Sequence, residues 1–268
     1  MNIDSYLQRI SYHGSRLPTM ETLQRLSLAH NLSVPFENFS IIAKESIKLD
    51  EELIYDKIVN RRRGGFCYEL NGLFQWLLKS LGYDVILLAA RILDPHTKEL
   101  GPEFDHMVLS VGIPDGRDER YLVDVGFPFC GGCPILIMDG TMERLGDVDI
   151  RLRLESSDTW WLETKKLVSS SECSWSFQFT LQPQQLSDYM STCLYHQTDP
   201  EAPLTQSRLA AIRLEDGGRT IFTDKGEKGP QIVETKWNHT KNQFVKTETL
   251  LEERQVTEVL KRQFGLDF

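Results

Sequence analysis

The spacing of apolar positions predicts that the first 80 or so residues are mainly helical. Thr19 precedes a segment in which leucines recur at helical spacing, and a second such segment with an acidic first turn starts at Asp50. The clearest pattern is an apolar stripe with steps of mostly three or four residues: Phe66, Leu70, Leu73, Phe74, Leu77, Leu78 and Leu81. Such a stripe predicts a buried helix, and Gly82 is suited to end it.

Short apolar runs replace the helical spacing after Gly82, as is typical of β-strands. The first run is "YDVILLAARIL", and the next two, "HMVLSVGI" and "RYLVDVGF", are separated by the turn-forming stretch "PDGRDE". Further runs follow as far as "WSFQFTL". Their spacing predicts an antiparallel sheet or a small barrel.

The last third of the chain mixes the two patterns. Helical spacing marks "QQLSDYMSTCLYH", the stretch "RLAAIRLEDGGRTIFTDK" predicts a hairpin that turns at its two glycines, and "EERQVTEVLKRQFGL" predicts a closing amphipathic helix. This order of elements predicts an α+β protein with three parts, namely residues 1–82, 83–183 and 184–268.

Composition and charge narrow the classes of partner. The 268-residue chain carries a formal charge of −9, which disfavours nucleic acid and anionic membranes because both bind clustered Lys and Arg. Five cysteines, an odd number, do not suggest a disulfide framework. No stretch resembles a signal peptide or approaches the ~18 apolar residues of a membrane helix. We therefore expect a cytoplasmic protein that binds neither nucleic acid nor membranes.

Cys67 is the first candidate for chemistry, in the stretch "RRRGGFCYELNGLF". Gly64 and Gly65 permit a sharp turn and a close backbone approach, so that Cys67 falls in the first turn of the predicted helix. Unpaired N–H groups and the helix dipole there favour an anion, which predicts a lowered pKa for the thiol. The same N–H groups could hold an oxyanion. The alternative is a small residue of the core.

A nucleophilic cysteine needs a base and a residue that orients the base. Among the six histidines, His106 is distinctive because it opens a predicted strand, and Asp124 lies in the next one. A hairpin centred on Asp115 places His106 opposite Asp124, and one centred on Gly116 offsets them by two residues. Either register keeps both side chains on one face. We favour a Cys67–His106–Asp124 triad over a structural Asp and a core His.

The motif "CGGC", from Cys130 to Cys133, raises a separate possibility. A C-x-x-C pair can be a redox centre or half of a zinc site. No second pair with matching spacing is evident, and Pro134 and a strand follow instead of a helix. We interpret these cysteines as incidental thiols, predict that Cys173 and Cys193 are buried, and expect no metal.

The chain resembles the arylamine N-acetyltransferases of bacterial type. Four motifs occur in family order: "RRRGGFCYELNGLF", the N-terminal segment that includes "PFEN", the histidine strand "HMVLSV" and the aspartate strand "YLVDVGF". The resemblance implies an N-terminal helical bundle, a central antiparallel β-barrel and a C-terminal α/β lid, with a core similar to cysteine proteases and transglutaminases. It also implies that Cys67, His106 and Asp124 form the catalytic triad.

The resemblance further implies a ping-pong reaction of xenobiotic metabolism. Cys67 would accept an acetyl group from acetyl-CoA and pass it to an arylamine or arylhydrazine. Arg63 falls where the family has a structural arginine, and we expect it to bridge to Glu37. Implied contacts are Phe127 and Phe36 for the acceptor and Gly126, Tyr195 and Thr205 for CoA. A core role is an alternative for both phenylalanines. The chain departs from many bacterial members at Pro128 and Phe129, where they have glycines.

Two other functions compete. A papain- or transglutaminase-like thiol hydrolase uses the same order of Cys, His and Asp, so the triad alone does not exclude it. A non-catalytic binding module is the second, and the complete triad argues against it.

Overall fold

The computed structural model describes residues 1–114, 116–127, 132–167, 176–224 and 228–268. These residues form seven α-helices: α1 (Ile3–Arg9), α2 (Met20–Ser33), α3 (Phe39–Ile42), α4 (Glu51–Tyr55), α5 (Cys67–Ser80), α6 (Met190–Thr198) and α7 (Glu253–Phe264). A π-helical turn, Asp56–Asn60, extends α4, and two 3₁₀ turns span Leu186–Tyr189 and Pro203–Thr205. The first strands are β1 (Phe36–Glu37), β2 (Asp84–Leu93), β3 (His106–Gly112), β4 (Arg120–Val123), β5 (Ile135–Leu136) and β6 (Met142–Leu145). The others are β7 (Val148–Leu154), β8 (Thr159–Lys166), β9 (Ser176–Thr180), β10 (Arg208–Arg213), β11 (Arg219–Asp224), β12 (Pro230–Asn238) and β13 (Gln243–Leu250).

Helices α2, α4 and α5 begin where the sequence predicts. The side chain of Thr19 accepts a hydrogen bond from the Thr22 N–H and caps α2, and Asp50 caps α4 in the same way. Helix α5 starts at Cys67, and Gly82 has a positive φ of 92° shortly after its end. The predicted stripe is confirmed, because its residues from Phe66 to Leu78 are all fully buried.

An eight-stranded antiparallel sheet, in the order β5-β4-β3-β2-β9-β8-β7-β6, curves into a nearly closed barrel. Successive side chains along its strands point alternately into two hydrophobic clusters. Met107 and Leu109 of β3 face the cluster of the helices, whereas Val108 and Leu122 face the cluster inside the barrel. Every residue of β3 is buried because the strand is covered on both faces. The predicted antiparallel sheet or small barrel is confirmed.

A second antiparallel sheet, in the order β1-β10-β11-β12-β13, completes the fold. The predicted hairpin corresponds to β10 and β11, and the predicted closing helix to α7, which packs its apolar face onto this sheet. The hairpin of β12 and β13 was not predicted. Strand β1 was not predicted either, and it ties residues 36–37 to the C-terminal third. The three-part division at residues 83 and 184, the lid and the protease-like core stay predictions.

Three of the five cysteines lie among the described residues. Cys67, Cys133 and Cys193 are free thiols, and Cys193 is buried as predicted. Cys130 and Cys173 lie outside the described residues.

Over the described ranges, no group of three or more His, Cys, Asp or Glu side chains is arranged to hold a metal ion. None of the helices in those ranges has the length and hydrophobicity to cross a membrane.

Candidate active site

Two glycines shape the turn that leads into α5. A Cβ at Gly64 would overlap the carbonyl oxygen of Pro35, and a Cβ at Gly65 would lie 2.8 Å from Glu69 Cβ. Gly65 also pairs with Phe36 in an isolated β-bridge. The turn therefore packs directly against the "PFEN" segment. A side chain at Gly64 would push the two apart, and one at Gly65 would displace Glu69 of α5.

A buried charge network fixes the same turn. Arg63 Nη2 donates to Glu37 Oε1 at 2.9 Å, as predicted. Lys57 Nζ donates to both oxygens of Glu69 at 2.8 and 2.9 Å and lies 4.0 Å from Glu37. Glu69 Oε2 accepts the N–H of Phe66 at 3.1 Å and so caps α5. Burial raises the pKa of Glu69, and the ammonium group of Lys57 opposes that rise.

Lys57 and Glu69 were not predicted from the sequence. The available signal was a Glu three residues after the start of a predicted helix, which is the second half of a capping box. Lys57 carries no such signal because its partner is 12 residues away. Two cations, Lys57 and Arg63, balance two anions here, so that buried charge is compensated.

Cys67 is only 6% exposed at the start of α5. Burial raises the pKa of its thiol well above the usual value, and the charges of Asp105 and Asp124 raise it further. A backbone hydrogen bond from Tyr68 acts in the opposite direction. The predicted lowering of the pKa by the helix start is therefore wrong, because desolvation outweighs it. A thiolate at Cys67 needs a cation beside it.

His106 and Asp124 meet as the strand pattern predicts. His106 Nε2 lies 2.7 Å from Asp124 Oδ2, and both side chains are buried. Leu109 pairs with Val123, so the hairpin has the register centred on Gly116, with the two residues offset by two positions. Strand β4 ends at Val123, and Asp124 follows it directly. The other ring nitrogen, His106 Nδ1, is buried and has no hydrogen-bond partner in the described chain.

Asn71 connects the helix to both strands. Its Nδ2 donates to the carbonyl oxygen of Met107 at 2.7 Å and to Asp124 Oδ1 at 2.9 Å, and its Oδ1 accepts the N–H of Val125 at 2.9 Å. Asp124 Oδ1 also accepts the N–H of Gly126 at 2.8 Å. Asn71 lies one turn after Cys67 on α5, so it sets the position of the helix over the strands. Sequence analysis missed it, although a polar residue in a buried helix was a usable signal.

Aromatic rings surround His106. The ring centroids of Phe127 and Phe177 lie 5.3 and 5.5 Å from that of His106. Phe127 also lines a cleft with Phe36, the two residues predicted to contact the acceptor. The remaining residues of the cleft are Asn31, Val34, Val125, Ala211, Ile212, Arg213 and Arg219. The structure thus brings Phe36 and Phe127 to one cleft, and Phe127 alone also packs against His106. Their substrate contacts stay a prediction.

Of the three residues implied for CoA binding, Tyr195 and Thr205 both bond to the backbone of Asp199 at the end of α6. A Cβ at Gly126 would lie 2.8 Å from the Cα of Cys67 and 2.7 Å from Asn71 Nδ2, so packing alone requires a glycine there. The Thr205 hydroxyl lies within hydrogen-bonding distance of two carbonyl oxygens of its own turn. Tyr195 is half-buried on α6, beside His196. Their contacts with CoA stay predictions, and Pro128 and Phe129 lie outside the described residues.

Comparisons with known proteins identify the family to which the chain is similar. A family model described as N-acetyltransferase matches residues 19–268. The chain is 32% identical to an arylamine N-acetyltransferase of Gallus gallus, pineal gland isozyme NAT-3, over 99% of this chain and 94% of that protein. It is also 32% identical to the arylamine N-acetyltransferase / N-hydroxyarylamine O-acetyltransferase of Salmonella typhimurium, over 83% of this chain and 76% of that protein.

Solved structures give the same result. The arylamine N-acetyltransferase from Salmonella typhimurium superimposes with a TM-score of 0.86 at 27% identity, over 98% of this chain and 90% of that chain. The structure of Mycobacterium marinum arylamine N-acetyltransferase in complex with CoA superimposes with a TM-score of 0.84 at 28% identity, over 98% of this chain and 92% of that chain.

Proposed function

The chain belongs to the arylamine N-acetyltransferase family and is an acyltransferase, and we propose that it works by a ping-pong reaction through acetylated Cys67. In this reaction an acetyl group passes from acetyl-CoA to Cys67 and then to the nitrogen of an arylamine. The observation that carries the proposal is the pairing of His106 with Asp124, whose other oxygen bonds to Asn71, one turn after Cys67 on α5. That arrangement provides a base and its orienting carboxylate next to a cysteine.

The first half-reaction forms the acetyl-cysteine. His106 Nδ1 accepts the proton of the Cys67 thiol, because Nε2 is already bonded to Asp124. The resulting imidazolium is the cation that the buried thiolate requires, and Asp124 stabilises its charge. The thiolate sulfur then attacks the carbonyl carbon of acetyl-CoA, the bond from that carbon to the CoA sulfur breaks, and CoA leaves with the proton from His106. One thioester replaces another, so the step is close to isoenergetic.

The second half-reaction transfers the acetyl group to nitrogen. The amine attacks the carbonyl carbon of acetyl-Cys67, His106 accepts the amine proton, and the bond to the Cys67 sulfur breaks. We infer that the ring of the acceptor packs against Phe127, whose ring lies beside that of His106, because aromatic rings pack well against one another. The products are an amide and the free enzyme.

The relatives support the substrate classes. The Mycobacterium marinum structure holds CoA, and the names of the relatives specify arylamines as acceptors. Arylhydrazine acceptors, a cytoplasmic location and a role in xenobiotic metabolism stay predictions. The thiol-hydrolase alternative is not favoured, because the matched relatives are named as acetyltransferases.

Intact-protein mass spectrometry tests the central step. The protein is mixed with acetyl-CoA in the absence of amine, and the product is mapped by peptide analysis. We expect one acetyl group on the Cys67 peptide, which an added arylamine then removes. Cys193→Ser is the matched control because it alters another buried thiol and should acetylate normally. A folded, reduced protein without the adduct, or acetylation that persists in Cys67→Ser, would contradict the proposal.

A further inference from the structure

A second carboxylate–imidazole pair lies near the nucleophile. His196 of α6 approaches Asp105, the residue directly before His106. Its Nε2 lies 3.1 Å from the backbone oxygen of Asp105 and 3.4 Å from Asp105 Oδ1. Asp105 Oδ2 accepts the N–H of Ile92 at 3.2 Å. Both side chains are largely buried, with 5% of His196 and 12% of Asp105 exposed.

The His196 ring packs against the residues at the start of α5. The ring centroid of His196 lies 6.5 Å from that of Phe66 and 5.8 Å from that of Tyr68, the two residues on either side of Cys67. The negative charge of Asp105 raises the pKa of the Cys67 thiol and is a larger influence than the charge of Asp124. Cys67 is therefore influenced by two carboxylate–imidazole pairs.

We propose that Asp105 and His196 are a positioning pair for Cys67, in which His196 offsets the charge of Asp105 and holds the start of β3 against the first turn of α5. The proposal deepens the proposed function and rests on Cys67 as its nucleophile. Neither residue needs to touch the substrate. The pair acts through the charge state and the placement of Cys67.

The physical reason is the sign of the charge. An isolated carboxylate at Asp105 opposes the formation of a thiolate nearby. A proton shared between Asp105 and His196 reduces that opposition only in part, so the pair keeps some negative charge that still raises the pKa of Cys67. Burial raises the pKa of Asp105 and lowers that of His196, and both effects reduce the charge on the pair. His196 Nδ1 is buried and has no hydrogen-bond partner in the described ranges, which favours the ring proton on Nε2, the nitrogen that faces Asp105.

Other titratable or charged groups also face the pair. They are Cys67 and Tyr68 from α5, Arg91 from β2, His106 from β3 and Tyr195 from α6. Arg91 and His106 supply positive charge to Asp105, but His196 is the larger influence. The pH dependence of Cys67 alkylation in a His196 variant therefore separates the influence of His196 from that of these neighbours.

The test measures the rate of Cys67 alkylation by iodoacetamide from pH 5 to 10, which reports the thiolate fraction without any acetyl-CoA. Asp105→Asn keeps an oxygen for the Ile92 N–H and removes the charge. His196→Gln keeps an N–H donor for the Asp105 carbonyl and removes the capacity to hold a proton. His239→Gln is the matched control, because His239 is exposed on a turn. Thermal unfolding of each variant confirms that it is folded.

We expect opposite shifts. The alkylation midpoint should fall by about one pH unit in Asp105→Asn and rise by a similar amount in His196→Gln, which is about tenfold in thiolate fraction. The double variant should follow Asp105→Asn, because His196 acts through Asp105. A purely structural pair would shift both single variants in the same direction or not at all, and either result would overturn the proposal. If His196→Gln does not fold, an unshifted midpoint in Asp105→Asn is sufficient to overturn it.

The acetylation experiment separates this proposal from the proposed function. If native protein forms acetyl-Cys67 and the variants show unshifted midpoints, only the positioning pair is wrong. If native protein forms no acetyl-Cys67, the proposed function fails whatever the midpoints are.

Discussion

Replacement of Asp124 by Asn changes one atom of the site and should abolish its chemistry. Two N–H donors, from Asn71 and Gly126, converge on Asp124 Oδ1 at 2.9 and 2.8 Å. The amide oxygen of Asn will therefore occupy the Oδ1 position, and its NH₂ group will face His106 Nε2. That group donates where the carboxylate accepted, so Nε2 must become the acceptor and the ring proton must move to Nδ1.

The expected loss of rate in Asp124→Asn follows from the loss of His106 as a base. A His106 ring with its proton on Nδ1 cannot accept the proton of Cys67, and the carboxylate that would stabilise the imidazolium is gone. The equivalent change in a serine-protease triad lowers the rate on the order of 10⁴-fold. We expect a loss of about 10³- to 10⁴-fold here, or about 4 to 5.5 kcal/mol of activation free energy. The free energy of unfolding should change by only about 1 kcal/mol, because shape and most contacts are kept.

Rapid-quench mass spectrometry of a single turnover measures the formation of acetyl-Cys67 directly. Asp84→Asn is the matched control. Asp84 is exposed at the first position of β2, whereas Ala90, which pairs with His106, lies six residues further along that strand. Urea unfolding supplies the stability of each variant. Acetylation of Asp124→Asn within tenfold of the native rate would show that Asp124 does not set the tautomer of His106, and the reasoning would be wrong.

Three further predictions concern the surroundings of the triad. Asn71→Leu should cost about 3 kcal/mol of unfolding free energy in urea titrations, because the buried Val125 N–H loses its acceptor. Asn71→Leu should also lower kcat/KM on the order of 100-fold, because the helix that carries Cys67 is displaced. A native free energy of unfolding together with a native kcat/KM would contradict this prediction. Gly126→Ala should lose activity in the same steady-state assay, whereas Gly72→Ala, whose Cβ would meet nothing closer than 3.7 Å, should not. His30 is buried and its pKa is lowered from 6.5 to about 3, so protonation favours the unfolded state. Native stability should therefore fall as the pH drops from 6.5 towards 3, by up to about 4 kcal/mol, and His30→Gln should flatten that part of the curve of unfolding free energy against pH.

The residues of the triad were predictable because local patterns determine them. Alternation along a strand fixes which side chains share a face, so His106 and Asp124 could be assigned to one face before the register was known. The two glycines and the apolar stripe locate Cys67 at a helix start by local rules alone. Each of these inferences depends on a local pattern, along a strand or at a helix start.

The remaining features depend on contacts between distant segments. Strand β1 is two residues long and exists because Phe36 pairs with Ala211, far along the chain. Asn71 has its partners 36 to 54 residues away, so its polarity was visible but its role was not. The pKa of Cys67 was predicted in the wrong direction for the same reason. The helix start acts locally, whereas desolvation comes from the whole fold around Cys67.

The position of Cys67 is set by side chains of its own helix. Glu69, two residues after it, fixes the start of α5 through Lys57 and the Phe66 N–H. Asn71, four residues after it, fixes the same turn to the aspartate strand. These two networks hold opposite sides of one helical turn, so neither can relax without moving the Cys67 sulfur relative to His106. Because buried polar groups are costly when a partner is lost, this turn has few alternative packings of similar energy. The stability of the turn and the geometry of the reaction therefore depend on the same hydrogen bonds.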